Sequence, residues 1–197
     1  LPGGDGSAEF ASFVGSTIAS AAGDTYLVAQ LIAPPIDKDN RNAVVWPTER
    51  LGDDRVDFTI ESVADAVIND ITGKHDIDTQ RIFVMGWSSG GPPAYTLATR
   101  KNTPFRGAFV AMSVFKPDLL PPLKELNDRA FYILHSPGDF ISMRFANNAE
   151  QELRAAGARV KLSTYEGGHG WHGESIDHIP RAVRWLEGSN IASDEPD

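Results

Sequence analysis

Five stretches of the chain, residues 26–33, 81–86, 107–112, 130–135 and 159–165, are almost continuously apolar and rich in β-branched and aromatic residues. That length and composition predict buried strands. Around them, apolar positions recur with helical spacing over residues 8–22, 58–72, 94–101, 143–156 and 176–187. A strand wetted on one face alternates apolar with polar residues; the first four runs do not, and strands covered on both sides are expected. Strands of that kind alternating with helices predict the α/β class: a three-layer α/β/α sandwich with a mostly parallel sheet. Gly23 and Gly157 fall just past two of the helices, where a C-terminal glycine is favoured, and Pro92 and Pro93 suit a helix first turn. Two longer connections remain: 34–57, which is charged and carries Trp46, and 113–129, which mixes Phe115, Leu119, Leu120 and Leu123 with prolines. Each reads equally as a border of a site or as a surface loop with a few apolar anchors.

Length and charge narrow the classes further. At 197 residues the chain is expected to form one domain over 1–190, followed by a solvated tail at 191–197. No apolar run approaches the roughly 18 residues of a membrane helix. With 18 Lys and Arg against 27 Asp and Glu the net charge is −9, which repels a phosphate backbone and argues against nucleic acid as a partner. The absence of cysteine excludes disulfides, thiol catalysis and Cys-ligated zinc, but leaves the compartment open.

The chemistry begins at Gly86-Trp87-Ser88-Ser89-Gly90. This string matches the Gly-x-Ser-x-Gly nucleophile elbow, in which a serine sits on a sharp strand-to-helix turn with its hydroxyl exposed. The context is right, with a predicted strand directly upstream and a predicted helix directly downstream. Only Ser88 has glycine at both flanking positions, so Ser88 is the candidate nucleophile and Ser89 a backbone N–H donor to an oxyanion. A serine hydroxyl needs a base, and the base needs a group that fixes its tautomer. Asp139 follows the strand at 130–135 in a Pro-Gly turn, and His169 follows the strand at 159–165 between glycines. An aspartate in such a turn is often only a turn former. Three candidates at strand C-terminal ends in the order Ser, Asp, His are more than that reading explains. His172 and His178, the latter beside Asp177, lack a complementary ligand pattern, so neither a metal nor an organic cofactor is expected. The opening glycine-rich loop, Leu1-Pro2-Gly3-Gly4-Asp5-Gly6, precedes a helix; alone it reads equally as a disordered terminus, and beside the triad it reads as the second half of the oxyanion hole, presenting backbone N–H groups to an anion.

On these residues the chain resembles α/β-hydrolases of the phospholipase/carboxylesterase and polyhydroxybutyrate-depolymerase-like branch. The resemblance runs from Leu1-Pro2-Gly3-Gly4 through Asp76–Gly86 to Gly167-Gly168-His169-Gly170-Trp171. It implies Ser88, Asp139 and His169 as nucleophile, acid and base, with Gly4 and Ser89 at the oxyanion. Two positions depart from the family pattern: Pro2 stands where a histidine is usual, and Ser136 where a glycine is usual. The resemblance also implies a further strand feeding the oxyanion loop, so an apolar strand upstream of Leu1 is expected in the natural chain.

The function expected is hydrolysis of small-molecule carboxylic esters with short or medium acyl chains, at an open site lined by Trp87, Phe140 and Trp171. A thioesterase or peptidase on the same triad, or an inactive scaffold that only binds, are the alternatives.

Overall fold

The computed structural model describes residues 1–35, 44–53 and 56–188. The tail expected at 191–197 and the end of the expected domain, 189–190, lie outside the described residues.

Among the described residues four strands form one sheet: β1 (Phe83–Trp87), β2 (Gly107–Ala111), β3 (Ala130–His135) and β4 (Arg159–Thr164). They pair side by side in chain order and all in parallel, with Met85, Phe109, Tyr132 and Lys161 in one row of the register. The helical run over 8–22, here α1, combines a 3₁₀ turn (Ala8–Phe10), an α-turn (Ala11–Phe13), a π-turn (Val14–Ile18) and a last α-turn (Ala19–Ala22). The regular helices are α2 (Ile60–Thr72), α3 (Gly91–Thr99), α4 (Arg144–Ala155) and α5 (Glu174–Leu186). α2 starts two residues later than its pattern predicts, because Thr59 and Ser62 form a reciprocal capping box. α3 starts earlier, because Pro92 and Pro93 sit in its first turn, where a missing N–H costs nothing.

The central strands β2 and β3 bury both faces along their whole length, as their continuous apolar character requires, whereas β4 at the sheet edge carries Arg159, Lys161 and Ser163 and is only partly covered. Val84, Val110, Phe131, Ile133 and Val160 pack with Ile60 and Ala64 of α2, Ala94, Leu97 and Ala98 of α3, and Ala146, Ala149 and Leu153 of α4. The residues between them, Phe109, Ala111, Tyr132 and Leu134, face Val14 and Ile18 of α1 and Ile179, Ala182 and Leu186 of α5. Each fully buried large apolar side chain contributes about 1.5–3 kcal/mol. The result is the expected three-layer sandwich on a parallel sheet.

The strand expected at 26–33 does not form. Its backbone makes two bonds at its ends, Tyr26 N–H to Gly23 O and Ala33 N–H to Gly6 O, and no ladder runs between them. Leu27, Val28 and Ile32 are 58%, 40% and 57% exposed. Apolar content alone does not make a strand; a hydrogen-bonding edge must lie alongside. The outer edge of β1 is met instead by Leu1, whose amino group donates to Met85 O at 2.8 Å and whose carbonyl accepts from Trp87 N–H at 3.3 Å. A cleft of about 700 Å³ opens beside this edge, lined by Leu1, Ile71, Ile82, Phe83 and Met85 among others.

One polar pair is buried in the second layer. His178 of α5 is 8% exposed and its Nδ1 lies 2.7 Å from the Tyr132 hydroxyl. Burial, and after it the Arg181 guanidinium, holds the His178 pKa below its ordinary 6.5; Lys161 acts in the same direction, and Glu174 and Asp177 oppose it. The unfolded chain therefore takes up a proton that the folded chain resists, and stability is lost as pH falls below the ordinary value. Melting temperatures measured between about pH 7.5 and 5.5 are expected to fall with pH, and to fall less steeply in His178→Gln.

Candidate active site

β1 leaves the sheet in an extended conformation at Trp87, and α3 begins only four residues later. The reversal is made at Ser88, whose φ of 52° is left-handed, a conformation that costs an L-residue about 1–2 kcal/mol. Two donors on the Ser88 carbonyl offset that cost: the Ser113 hydroxyl at 2.6 Å and the Gly91 N–H that closes the 3₁₀ turn Ser88–Gly90. The flanking glycines are required by contact. A Cβ on Gly86 would lie 2.2 Å from Gly90 O, and one on Gly90 would lie 2.1 Å from Leu1 O. The Gly-x-Ser-x-Gly spacing thus lets strand, turn and opening loop close on one another.

The opening loop is seated on this turn. Gly6 N–H bonds to Gly3 O at 3.0 Å, the Ser89 hydroxyl donates to Gly4 O at 2.8 Å, and Trp46 Nε1–H donates to Pro2 O at 3.3 Å. A side chain on Gly3 would meet Ser88 Cβ at 2.8 Å. Gly4 and Ser89 are therefore held on adjoining loops beside Ser88, and Trp46, from the connection 34–57, supports the loop that Pro2 enters.

Asp139 ends a tight turn after β3, with its N–H bonded to Ser136 O at 3.1 Å. Its carboxylate is fully buried and accepts from Ile141 N–H at 2.8 Å. His169, on the loop after β4, places Nδ1 2.9 Å and 3.1 Å from the two Asp139 oxygens and Nε2 3.0 Å from Ser88 Oγ. A carboxylate only accepts, so Nδ1 carries the proton and Nε2 is left with the lone pair that faces the serine hydroxyl. This geometry can draw a proton from Ser88 onto His169 and stabilise the resulting imidazolium.

The expected lining residues divide. Phe140 is 81% exposed, with its ring centroid 4.5 Å from that of His169. Trp87 is 4% exposed and packs edge-on against Phe10, Phe13 and Trp171. Trp171 is partly buried against Phe13 and Phe109. Both indoles thus belong to the aromatic packing beneath the loops, where Trp87 offers no surface to a ligand; an aromatic next to a glycine-rich turn is as useful below the turn as above it. His172 covers Gly167, where a Cβ would lie 2.5 Å from its Cε1, and His178 is engaged with Tyr132. Among the described residues no group of three or more His, Cys, Asp or Glu is placed to hold a metal ion. Sequence reasoning missed Ser113: a lone serine past a strand carries no signal until its strand is known to lie beside β1.

No family model matches the chain, and no curated protein matches it in sequence. Solved structures do resemble it. A carboxylesterase from Mesorhizobium loti aligns with a TM-score of 0.69 at 16% identity, over 95% of this chain and 86% of that one. An alpha/beta hydrolase enzyme from a Medee basin deep-sea metagenome library aligns at 0.57 and 18% identity, over 71% and 68%. The Bacillus cereus carboxylesterase aligns at 0.55 and 18% identity, over 66% of this chain and 59% of its own length, so the chain spans about three-fifths of that enzyme. The chain has the α/β-hydrolase fold.

Gly90→Ala is expected to cost about 1–3 kcal/mol, since backbone at Leu1 must move to admit the methyl group. Thermal unfolding of the variant checks this, and a melting temperature equal to that of the wild type would contradict the close approach.

Proposed function

We propose that the chain is a serine hydrolase that cleaves carboxylic esters through an acyl-enzyme intermediate. The observation that carries this reading is the unbroken relay from Ser88 Oγ through His169 to the buried carboxylate of Asp139. Ser88 attacks the ester carbonyl as His169 Nε2 takes its proton. Asp139 keeps the imidazole in the required tautomer and stabilises its positive charge. The backbone N–H groups of Gly4 and Ser89 receive the oxyanion of the tetrahedral intermediate. His169 then returns the proton to the departing alcohol, and a water, deprotonated in turn by His169, releases the acid. No metal or organic cofactor enters any of these steps. The carboxylesterases among the similar structures favour an ester over an amide or thioester. The exposed ring of Phe140 beside His169 favours an open site suited to short or medium acyl groups.

A series of p-nitrophenyl esters from acetate to long acyl chains tests the reading. Ser88→Ala is expected to lower kcat by a factor on the order of 10⁶, and Asp139→Asn by about 10⁴. Phosphonate label is expected on Ser88 and nowhere else, located by peptide mass. A wild-type protein that neither turns over nor labels would overturn the proposal.

The apolar surface of Phe140 gives a separate expectation. Phe140→Ala is expected to raise KM for a medium-chain ester by roughly tenfold or less while leaving kcat near wild type, as loss of uniform binding requires.

A further inference from the structure

The loop that carries His169 is poorly equipped to hold itself. Gly167, Gly168 and Gly170 surround the histidine, and Gly167 and Gly170 have φ of 135° and 128°. Glycine loses the most conformational freedom on ordering, so such a loop is expected to wander unless something outside it supplies the constraint. Among the described residues, the His169 side chain bonds to Asp139 and Ser88, the groups it must align.

The constraint comes from side chains at the ends of three successive strands. Ser136, directly after β3 and fully buried, donates its hydroxyl to Gly167 O and accepts Gly138 N–H at 3.1 Å. Tyr165, directly after β4, donates its hydroxyl to Gly168 O at 2.8 Å. Met112, directly after β2 and fully buried, accepts Gly170 N–H on Sδ at 3.2 Å. The two residues before His169 and the one after it are thus each gripped from a strand end, and the carbonyl of Gly170 also accepts from the Ser175 hydroxyl at 3.3 Å.

We infer that Met112, Ser136 and Tyr165 are positioning residues for His169, fixing the loop backbone so that Nε2 and Nδ1 face Ser88 and Asp139 together. This rests on the reading of Ser88, His169 and Asp139 as a catalytic relay. Ser136 has a double part, because it also accepts from Gly138 in the turn that carries Asp139; acid and base loops are thereby joined through one hydroxyl. It stands where the resembling family has glycine, which has no such hydroxyl. Tyr165 suits a permanent donor: burial, and after it the charge of Asp139, pushes its pKa up to about 12, so the proton stays on the oxygen through the working pH range. Met112 holds a left-handed φ of 43°, while its own N–H still bonds to Leu134 O at 2.7 Å. Strain of this kind persists only where neighbouring contacts fix it.

Ser136→Ala, Tyr165→Phe and Met112→Leu each remove one grip with little change of volume. They are made singly and together in the 197-residue chain. Ester turnover is measured per phosphonate-titrated site, beside melting temperature and the downfield proton resonance of His169 Nδ1. Each single variant is expected to lower kcat about threefold to tenfold at unchanged KM, the effect of one net hydrogen bond. The triple variant is expected to lose on the order of 10²-fold, the effect of a misplaced catalytic group. The Nδ1 resonance is expected to broaden in the same order. Variants that keep wild-type kcat per titrated site and a sharp resonance overturn the inference, and if the triple variant does not fold the three single variants decide it. Should the wild type itself show no turnover, the esterase reading fails, while the resonance series still decides whether these side chains hold His169.

Discussion

Parallel pairing in chain order is the constraint on which the rest of this structure depends. When four strands run the same way, every C-terminal end falls on one edge of the sheet, and whatever follows each strand is delivered to the same place. Ser88 follows β1, Asp139 follows β3 and His169 follows β4. Residues separated by up to 81 positions come within 3.0 Å because the backbone ladder, not their own affinity, brings their loops together. The ladder in turn depends on burial of both faces, since a parallel sheet of this kind is stable only between two layers of helix.

That edge combines two opposed demands. The loops must approach closely, which calls for residues without side chains: Gly86 and Gly90 at the serine turn, and the glycines around His169. Glycine also removes the side-chain contacts that would hold a loop still. The answer in this fold is to place the holding groups on the ordered partner, at strand ends. Ser113 braces the Ser88 carbonyl, and Met112, Ser136 and Tyr165 reach the histidine loop. Strain at Ser88 and Met112 is located here and not in the sheet interior, consistent with an edge shaped by what it must align.

Much of this was legible in the sequence because it rests on local signals. Strand composition marked four strands, helical spacing marked the helices to within a few residues, and the Gly-x-Ser-x-Gly string identified the serine turn. The relay residues were legible only jointly: Asp139 alone reads as a turn former, and it gains meaning from its place after a strand in a series of such places. What was not legible depends on partners distant in the chain. Residues 26–33 have strand composition, but the ladder that would make them one is not at hand. Trp87 and Trp171 pack inward because Phe10 and Phe13 of α1 cover them, and nothing in the string Gly-Trp-Ser-Ser-Gly says on which side of the turn α1 will lie.

Ser136 is where the two loops meet. In sequence it is one small polar residue in a turn, with nothing to mark it as part of the site. In three dimensions its hydroxyl accepts from the turn that carries Asp139 and donates to the loop that carries His169. The distance between acid and base is then set by backbone atoms fixed to a common oxygen, and does not rely on the attraction between carboxylate and imidazole alone. A carboxylate–imidazole hydrogen bond left to find its own geometry spends part of its free energy on ordering two loops. With the loops already joined, more of that interaction is available, in the mechanism proposed for Ser88 and His169, to stabilise the imidazolium as the proton leaves the serine.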